Sequence, residues 1–219
     1  MLTLATQAGA ECGNLCDYDW WKTATTADLQ AELDAGADIM ARDKFGFTPV
    51  HWAASEGSVG QVKVLLSMGL NLMARNKIGR TPLHHAAGNP YNTHTPENIR
   101  ALLSAGAGLM ARDKYGSTPL HQAASGGTPS NVLILISAGA DVMARDEDGR
   151  TPLHSAAACK LYCRPFRIQK LLAAGADAKA IDKQGKTPWD LASENGGNGF
   201  HEYLNDRDGY WALNDAQYK

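Results

Sequence analysis

The sequence has little net charge, no long apolar run and none of the short motifs that mark common enzyme sites. Its 219 residues carry 21 lysines and arginines against 23 aspartates and glutamates, a formal net charge of -2. This balance gives no support for nucleic-acid binding, which favours a strongly basic surface. No apolar run approaches the roughly 18 residues that a membrane-spanning helix needs. A glycine-rich phosphate loop, a nucleophile elbow and an H-E-x-x-H zinc motif are also missing.

Cysteine is scarce, and its four copies fall into two pairs with the same spacing. Cys12 and Cys16 form one pair, and Cys159 and Cys163 form the other. Each spacing permits a local disulfide in an oxidising compartment, and free thiols are the alternative. Because the repeats described below place several packed layers between the two pairs, one zinc ion cannot reach both. We therefore expect no metal site.

The first ten residues are apolar and end in Ala8-Gly9-Ala10, which fits a small-residue cleavage site. No basic residue precedes the apolar stretch. Residues 1–11 are therefore expected to be either the remnant of a signal peptide or an N-terminal tail. With the paired cysteines, this segment favours a secreted or periplasmic location over a cytoplasmic one.

One short motif recurs along most of the chain. Thr-Pro is followed by an apolar residue, a histidine and, two positions on, an Ala-Ala pair. The motif begins at Thr48, Thr81, Thr118 and Thr151, with a degenerate copy at Thr187. Threonine is a good N-cap and proline is well tolerated at the first helical position, so each copy predicts a helix start. The period of about 33 residues indicates stacked repeats.

A second apolar pattern follows each motif. In residues 62–69, aliphatic side chains stand at i, i+3 and i+4, and a glycine follows three positions later. The same pattern begins at Ile99, Val132 and Ile168. This spacing places one apolar stripe on a helix, and the glycine fits the positive-φ position after the helix end. Each motif helix is therefore followed by a second helix.

A linking segment joins each helix pair to the next pair. It occupies residues 38–46, 71–79, 108–116, 141–149 and 177–185, and it usually ends in Asp-x-x-Gly. This ending is typical of a turn, because glycine takes conformations that other residues resist. We therefore expect a two-armed turn that projects from each helix pair.

The two helices, the projecting turn and the Thr-Pro-Leu-His helix start together resemble the ankyrin repeat. The resemblance covers about residues 16–204. It implies an all-α fold with short β-hairpin-like turns, an α-solenoid of stacked ankyrin repeats. Because one unit cannot bury its own apolar stripe, stability is expected to come from the interfaces between neighbouring units.

The motif positions also predict the unit boundaries. An N-terminal capping unit at 12–45 is expected to contain helices over residues 16–22 and 26–33. Four full repeats follow at 46–79, 80–116, 117–149 and 150–185. A C-terminal capping unit occupies 186–219, with Asp190 in place of the motif histidine. Helices near residues 200–204 and 209–216 are expected to cover the terminal core face rather than to form a binding tail.

Two repeats are longer than the others between their two helices. The extra residues fall at 88–95 and at about 158–165, where they add Tyr91, His94 and Tyr162. Loops that lengthen without disturbing a scaffold are candidate functional elements, and neutral insertions are the alternative.

Histidines are the first candidates for chemistry, but His51, His84, His121 and His154 each hold the same position in their own repeat. Placed one per layer, they cannot converge on a metal or a substrate. The resemblance implies that they form hydrogen bonds within and between neighbouring units. His154 with Cys159 is the only sequence-local pair of base and nucleophile, and nothing supplies an orienting third group. We expect no catalytic residue and no cofactor.

Two ladders of side chains follow the linking segments. Methionines recur at Met40, Met73, Met110 and Met143, and arginines recur at Arg42, Arg75, Arg112 and Arg145. The methionines are expected to fill gaps beneath the turns, with an adaptable contact surface as the alternative. The arginines are expected to form a solvated, salt-bridged edge with adjacent aspartates, with binding of an acidic partner as the alternative.

The resemblance further implies where a partner binds. In ankyrin repeats the turn tips and the exposed side of the first helix line the concave face, which commonly binds partners. Here that face is expected to include Lys44, Phe45, Phe47, Trp52, Lys77, Ile78, Arg80, His85, Lys114, Tyr115, Gln122 and Arg150. Aromatic residues gather in its first half, which favours a contact surface. Packing beneath the next turn is the alternative, chiefly for Phe47.

We therefore expect a monomeric, non-enzymatic module that binds another protein, with an apolar hot spot and a basic rim facing an acidic partner. Neither nucleic-acid binding nor membrane insertion is expected. The alternatives are a secreted or periplasmic inhibitor or immunity-type protein, a self-associating structural protein, and a Cys/His enzyme.

Overall fold

The computed structural model describes residues 13–158 and 165–194, which contain one short 3-10 helix and eleven α-helices. The 3-10 helix spans Gly13–Cys16. The α-helices are α1 (Tyr18–Thr23), α2 (Thr26–Asp34), α3 (Pro49–Glu56), α4 (Val59–Ser67), α5 (Pro82–Gly88), α6 (Thr95–Ser104), α7 (Pro119–Ser125), α8 (Pro129–Ser137), α9 (Pro152–Ala157), α10 (Pro165–Ala173) and α11 (Pro188–Glu194). The expected helices beyond residue 199 lie outside the described residues.

The helices stack in two rows. The odd-numbered helices α1 to α11 pack on one another in chain order, and α2 to α10 form the second row. The core lies between the rows, where Leu83, Ile99 and Val132 are fully buried. Ala86 and Ala87 are also fully buried, and their small side chains let neighbouring helices approach closely. The chain is an all-α solenoid, as the period predicts.

The Thr-Pro motif starts a helix at each of its copies. Thr48 is the N-cap of α3, and Pro49 is its first residue. The Thr48 N–H donates to His51 Nδ1 at 3.1 Å, and the Thr48 hydroxyl lies 2.8 Å from the same nitrogen. The histidine therefore takes the place of the glutamate or glutamine of an ordinary capping box. Thr81, Thr118 and Thr151 repeat the arrangement.

The first helix of the N-terminal capping unit begins later than expected. This helix begins at Tyr18 rather than at residue 16. The Asp17 side chain caps it by accepting hydrogen bonds from the backbone N–H groups of Asp19 and Trp20. Cys16 instead ends the 3-10 helix. Thr25 caps α2 in a capping box with Asp28, and Gly36 ends that unit's helix pair with a φ of 86°.

The second-row helices carry a ladder of polar side chains that the sequence analysis missed. Gln61, Asn98, Asn131 and Arg167 each stand immediately before the apolar stripe, and each is at most 3% exposed. Their side chains donate to backbone carbonyls near the end of the preceding unit's first-row helix. Gln61 donates to the Ala24 carbonyl, and Asn131 donates to the Ala87 carbonyl, each at 3.1 Å. These bonds satisfy helix-end carbonyls that would otherwise lack partners.

The arginine ladder does not form the expected salt-bridged edge. Arg42 Nη1 donates to the carbonyl of Gly46 in its own turn at 3.0 Å and to that of Arg75 in the next turn at 2.7 Å. Arg75 and Arg145 make the equivalent pairs of bonds, and Arg112 reaches Arg145. Within the described residues none of the four takes part in an ion pair.

The reason is that the neighbouring carboxylates are already engaged. Asp43 Oδ1 accepts the backbone N–H groups of Phe45 and Phe47 at 2.8 and 2.9 Å, which shapes the turn. The guanidinium group, with its fork of donors, reaches carbonyls of two successive turns instead. The arginines therefore join the units.

The methionine ladder does not fill buried gaps either. Met40 is 54% exposed, and Met73 and Met110 are each 42% exposed. The Met110 sulfur accepts a hydrogen bond from the N–H of Asp141 in the next linking segment, and Met143 does the same with Asp177 at 3.3 Å. These side chains bridge adjacent units at the surface.

Asn131 offers a direct test of the polar ladder. Replacing it with alanine removes the side-chain donor from the carbonyls of Ala86, Ala87 and Asn89. We expect Asn131→Ala to lower the free energy of unfolding by about 1–3 kcal/mol, because buried acceptors lose their partner. Urea unfolding followed by circular dichroism measures the change. Ser130→Ala at the exposed neighbouring position is the control and should stay within about 0.5 kcal/mol of the unaltered protein. Equal midpoints for both variants would contradict the role.

Candidate functional site

A groove of about 350 Å³ crosses the first-row helices. Helices α1, α3, α5 and α7 and the long loop between α5 and α6 line it. We call this site the aromatic groove, and its lining includes Tyr18, Trp52, Glu56, Arg80, His85, Asn89, Tyr91 and Gln122. It therefore brings together residues from four successive units of the solenoid.

Stacked rings form one wall of the aromatic groove. The Phe47 ring stacks on Trp52 with 4.6 Å between centroids and meets His85 of the next unit edge-on at 4.5 Å. Tyr18 meets Trp52 edge-on at 5.7 Å. Phe47 thus packs against the next unit and supports Trp52. The Trp52 indole Nε1 is buried and forms no hydrogen bond with the described residues.

The long loop between α5 and α6, residues 89–94, forms another wall. Asn89 Nδ2 donates to the carbonyl of Ser55 at 2.9 Å and to Glu56 Oε1 at 2.7 Å. Asn92 Nδ2 donates to the same Ser55 carbonyl at 2.9 Å. The two asparagines therefore attach the loop to the end of α3 in the preceding unit. Tyr91, at the groove's edge, is 82% exposed.

His85 adds a neutral polar group to the aromatic groove. Burial above all, together with the nearby His51 and Arg80, lowers its pKa to about 3. The ring therefore carries no charge near neutral pH. Its Nε2 lies 3.4 Å from Asn76 Nδ2. The side chain of Gln122 on α7, which also lines the groove, forms no hydrogen bond with the described residues and so offers a donor and an acceptor.

The motif histidines use both ring nitrogens in the scaffold. Because the Thr48 N–H can only donate, His51 Nδ1 must accept, and the proton sits on Nε2. Nε2 then donates to the carbonyl of Arg80, directly after the next linking segment, at 3.0 Å. His84, His121 and His154 reach the carbonyls of Ser117, Arg150 and Lys186 in the same way. Their expected role within and between units is confirmed, and neither nitrogen is left for a metal or a substrate.

Family models match most of the chain. The model described as Ankyrin repeats (3 copies) matches residues 25–113, 74–146 and 91–163. The model described as Ankyrin repeat matches residues 148–183. The chain belongs to the ankyrin repeat family. Ankyrin repeats are in general protein–protein interaction modules and typically have no enzymatic activity. No curated protein matches this ankyrin repeat protein.

The expected binding residues of this ankyrin repeat protein divide into two sets. Trp52, Arg80, His85 and Gln122 line the aromatic groove, and Phe47 supports it. The second set lies on the turn tips, where Lys44, Phe45, Lys77, Ile78, Lys114 and Tyr115 are found. Phe45 is 55% and Tyr115 57% exposed, whereas Ile78 is half-buried. Their role in binding stays a prediction.

The two arginines expected on the rim are paired within the protein. Arg80 Nε lies 3.2 Å from Asp113 Oδ2 in the next turn, and that carboxylate has no exposed side-chain area. Arg150 Nε lies 3.4 Å from Asp182, and its Nη1 lies 3.6 Å from Asp148. The basic rim on the first three turns therefore consists chiefly of lysines.

Several groove residues were not expected from the sequence. Tyr18, Glu56 and Asn89 belong to the capping unit, the end of α3 and the long loop, where the repeat pattern gives no side-chain direction. The only signal was the extra length of the loop around Tyr91. The second long loop, with Tyr162, lies outside the described residues.

The cysteines are only partly described. Cys16 is disulfide-bonded. Cys12, Cys159 and Cys163 lie outside the described residues, as does the tail at 1–11, so the two local pairings stay predictions. In the described part of the chain no three His, Cys, Asp or Glu side chains cluster as metal ligands would. A search of the same residues finds no helix that is long and apolar enough to span a membrane.

The buried histidines predict an acid-sensitive fold. Burial lowers the pKa of both His51 and His84 to about 4, from 6.5. At a pH between the folded-state pKa of about 4 and the unfolded-state pKa of 6.5, the unfolded chain binds more protons than the folded one. Acid therefore favours unfolding. The stabilisation is fully present above pH 6.5 and is lost as the pH falls towards 4. We expect the urea midpoint to fall steadily from pH 7 to pH 5.

Two variants test whether the buried motif histidines cause this pH dependence. His84→Gln removes one buried titrating ring and should reduce the slope of the urea midpoint against pH. His94→Gln changes an exposed histidine and should leave the slope as it is. A slope that is unchanged in His84→Gln and reduced in His94→Gln would show that the motif histidines are not responsible.

Proposed function

We propose that this ankyrin repeat protein binds another protein through the aromatic groove and the neighbouring turn tips, without catalysing a reaction. The observation that carries the proposal is the group of large exposed rings in the first half of the solenoid. Phe45, Tyr91 and Tyr115 are each more than half exposed, and Tyr18 is 40% exposed. Exposed aromatic side chains cost solubility and often serve as binding hot spots.

The surroundings of these rings hold the surface in shape. The Phe47 ring fixes Trp52, and Asn89 attaches the long loop to α3. A surface that is already ordered loses little conformational entropy when a partner binds. The Gln122 amide supplies a donor and an acceptor that can fix the partner's orientation.

Binding without catalysis is supported by the use of the polar groups. Both nitrogens of His154 are bonded, to Thr151 and to the Lys186 carbonyl, so this ring is not placed as a base. The proposal needs no cofactor and no nucleic acid. We propose that the protein acts as a monomer, which sedimentation at increasing protein concentration would check.

Affinity capture from the native cell extract tests the site. We would compare the unaltered protein with a triple variant, Phe45→Ala, Tyr91→Ala and Tyr115→Ala, which changes exposed side chains only. A matched control replaces three exposed apolar residues of the second helix row, Met68, Leu133 and Phe166, with alanine. Circular dichroism and urea unfolding confirm that both variants fold.

We expect the first variant to lose a partner that the control variant retains. Titration with the purified partner should show an affinity loss of at least tenfold, since truncating a hot-spot residue costs about 1 kcal/mol or more. Adding Trp52→Ala then tests the groove itself. A partner that both variants retain would refute the site, and one lost only by the control would place the interface on the second helix row.

A further inference from the structure

Three lysines occupy the same position on three successive turn tips. Lys44, Lys77 and Lys114 are all exposed, and none forms an ion pair with the described residues. Within the described part of the chain the one group that meets any of their ammonium groups is the Phe45 ring, whose centroid lies 5.1 Å from Lys44 Nζ. The fourth turn has Glu147 at this position, so the row changes sign there.

Hydrogen bonds between the turns fix the spacing of the row. Lys77 N–H donates to the Phe45 carbonyl and Lys114 N–H to the Ile78 carbonyl, each at 2.9 Å. Glu147 N–H donates to the Tyr115 carbonyl at the same distance. Because each turn projects from its own helix pair, we expect successive turns to follow the spacing of packed helices, about 8–10 Å. The row presents positive charges at a regular interval on a rigid backbone.

Among extended chain conformations, polyproline II matches this interval. It has three residues per turn and rises about 3.1 Å per residue, so residues i, i+3 and i+6 share one face about 9 Å apart. In a β-strand, residues i and i+3 point to opposite faces. The rings of Phe45 and Tyr115 lie beside the lysines in sequence, and aromatic surfaces are what polyproline II segments commonly bind.

We propose that the lysine row binds an acidic, proline-rich segment of the partner protein in the polyproline II conformation. The segment carries a carboxylate at every third residue, one for each of Lys44, Lys77 and Lys114. A basic residue three positions further on faces Glu147. This inference rests on the proposed function, because it describes one element of the same partner.

Synthetic peptides test the spacing directly. The probe is a fluorescein-labelled peptide, Glu-Pro-Pro-Glu-Pro-Pro-Glu-Pro-Pro-Lys, and its control has the same composition with the three glutamates adjacent. Fluorescence anisotropy at low and physiological salt measures binding to the full chain. We expect the spaced peptide to bind at least several-fold more tightly than the clustered one, and salt to weaken it.

Lysine variants assign the contact. We expect the affinity for the spaced peptide to fall about two- to fivefold, the range of exposed ion pairs, in each of three variants: Lys44→Ala, Lys77→Ala and Lys114→Ala. Lys63→Ala, at an exposed position of α4, is the control and should have no effect. Glu147→Lys should lower the affinity for the same peptide. Changing the peptide's final lysine to glutamate should restore the affinity for the Glu147→Lys variant.

Three results would overturn the proposal. These are equal binding of the spaced and clustered peptides, equal effects of Lys63→Ala and Lys77→Ala, and tighter binding of an alanine-rich helical peptide with a glutamate at every seventh residue. The captured partner separates this inference from the proposed function. A partner lost by the aromatic variant (Phe45→Ala, Tyr91→Ala and Tyr115→Ala) but retained by a variant that combines Lys44→Ala, Lys77→Ala and Lys114→Ala would refute the lysine row alone.

Discussion

Hydrogen bonds from side chains of one unit to backbone carbonyls of its neighbour are the interactions on which this solenoid depends. A histidine on each of α3, α5, α7 and α9 donates to the carbonyl of the residue directly after the following linking segment. The second-row ladder that begins at Gln61 donates to the preceding unit, and the arginine ladder joins successive turns. Apolar burial drives the stacking, but it is not directional. The hydrogen bonds set the distance and angle between units.

The candidate site follows from that fixed spacing. No single unit contains the aromatic groove, which is built from four units and the long loop. The Phe47 ring reaches His85 of the next unit, and Asn89 reaches back to Ser55. The loop thus extends one wall of the aromatic groove, and its asparagines donate hydrogen bonds to carbonyls at the end of α3. The turn tips are held by backbone bonds, so their exposed side chains lie in a regular series.

Positions under strong local rules could be predicted from the sequence. The helix starts at Pro49, Pro82, Pro119 and Pro152 follow from the Thr-Pro motif, whose capping needs only nearby residues. The histidine bonds were expected from the resemblance. The arginine ladder was interpreted wrongly, because adjacent aspartates suggested ion pairs while the turn amides had already engaged them. The start of α1 was two residues off, since Asp17 is a better cap than the sequence pattern suggested.

The repeat, the helix pairs and the turns follow from local sequence rules, because they depend on periodicity, capping and glycine conformation within about 33 residues. The sequence also marked most residues of the candidate surface by their repeat position. Which of these residues meet depends on how the units stack. Trp52, His85 and Gln122 come together in one groove with Tyr18 and Asn89, while Phe45 and Tyr115 lie on the turn tips. That division depends on how units stack and which way side chains point, and those contacts join residues more than 30 positions apart.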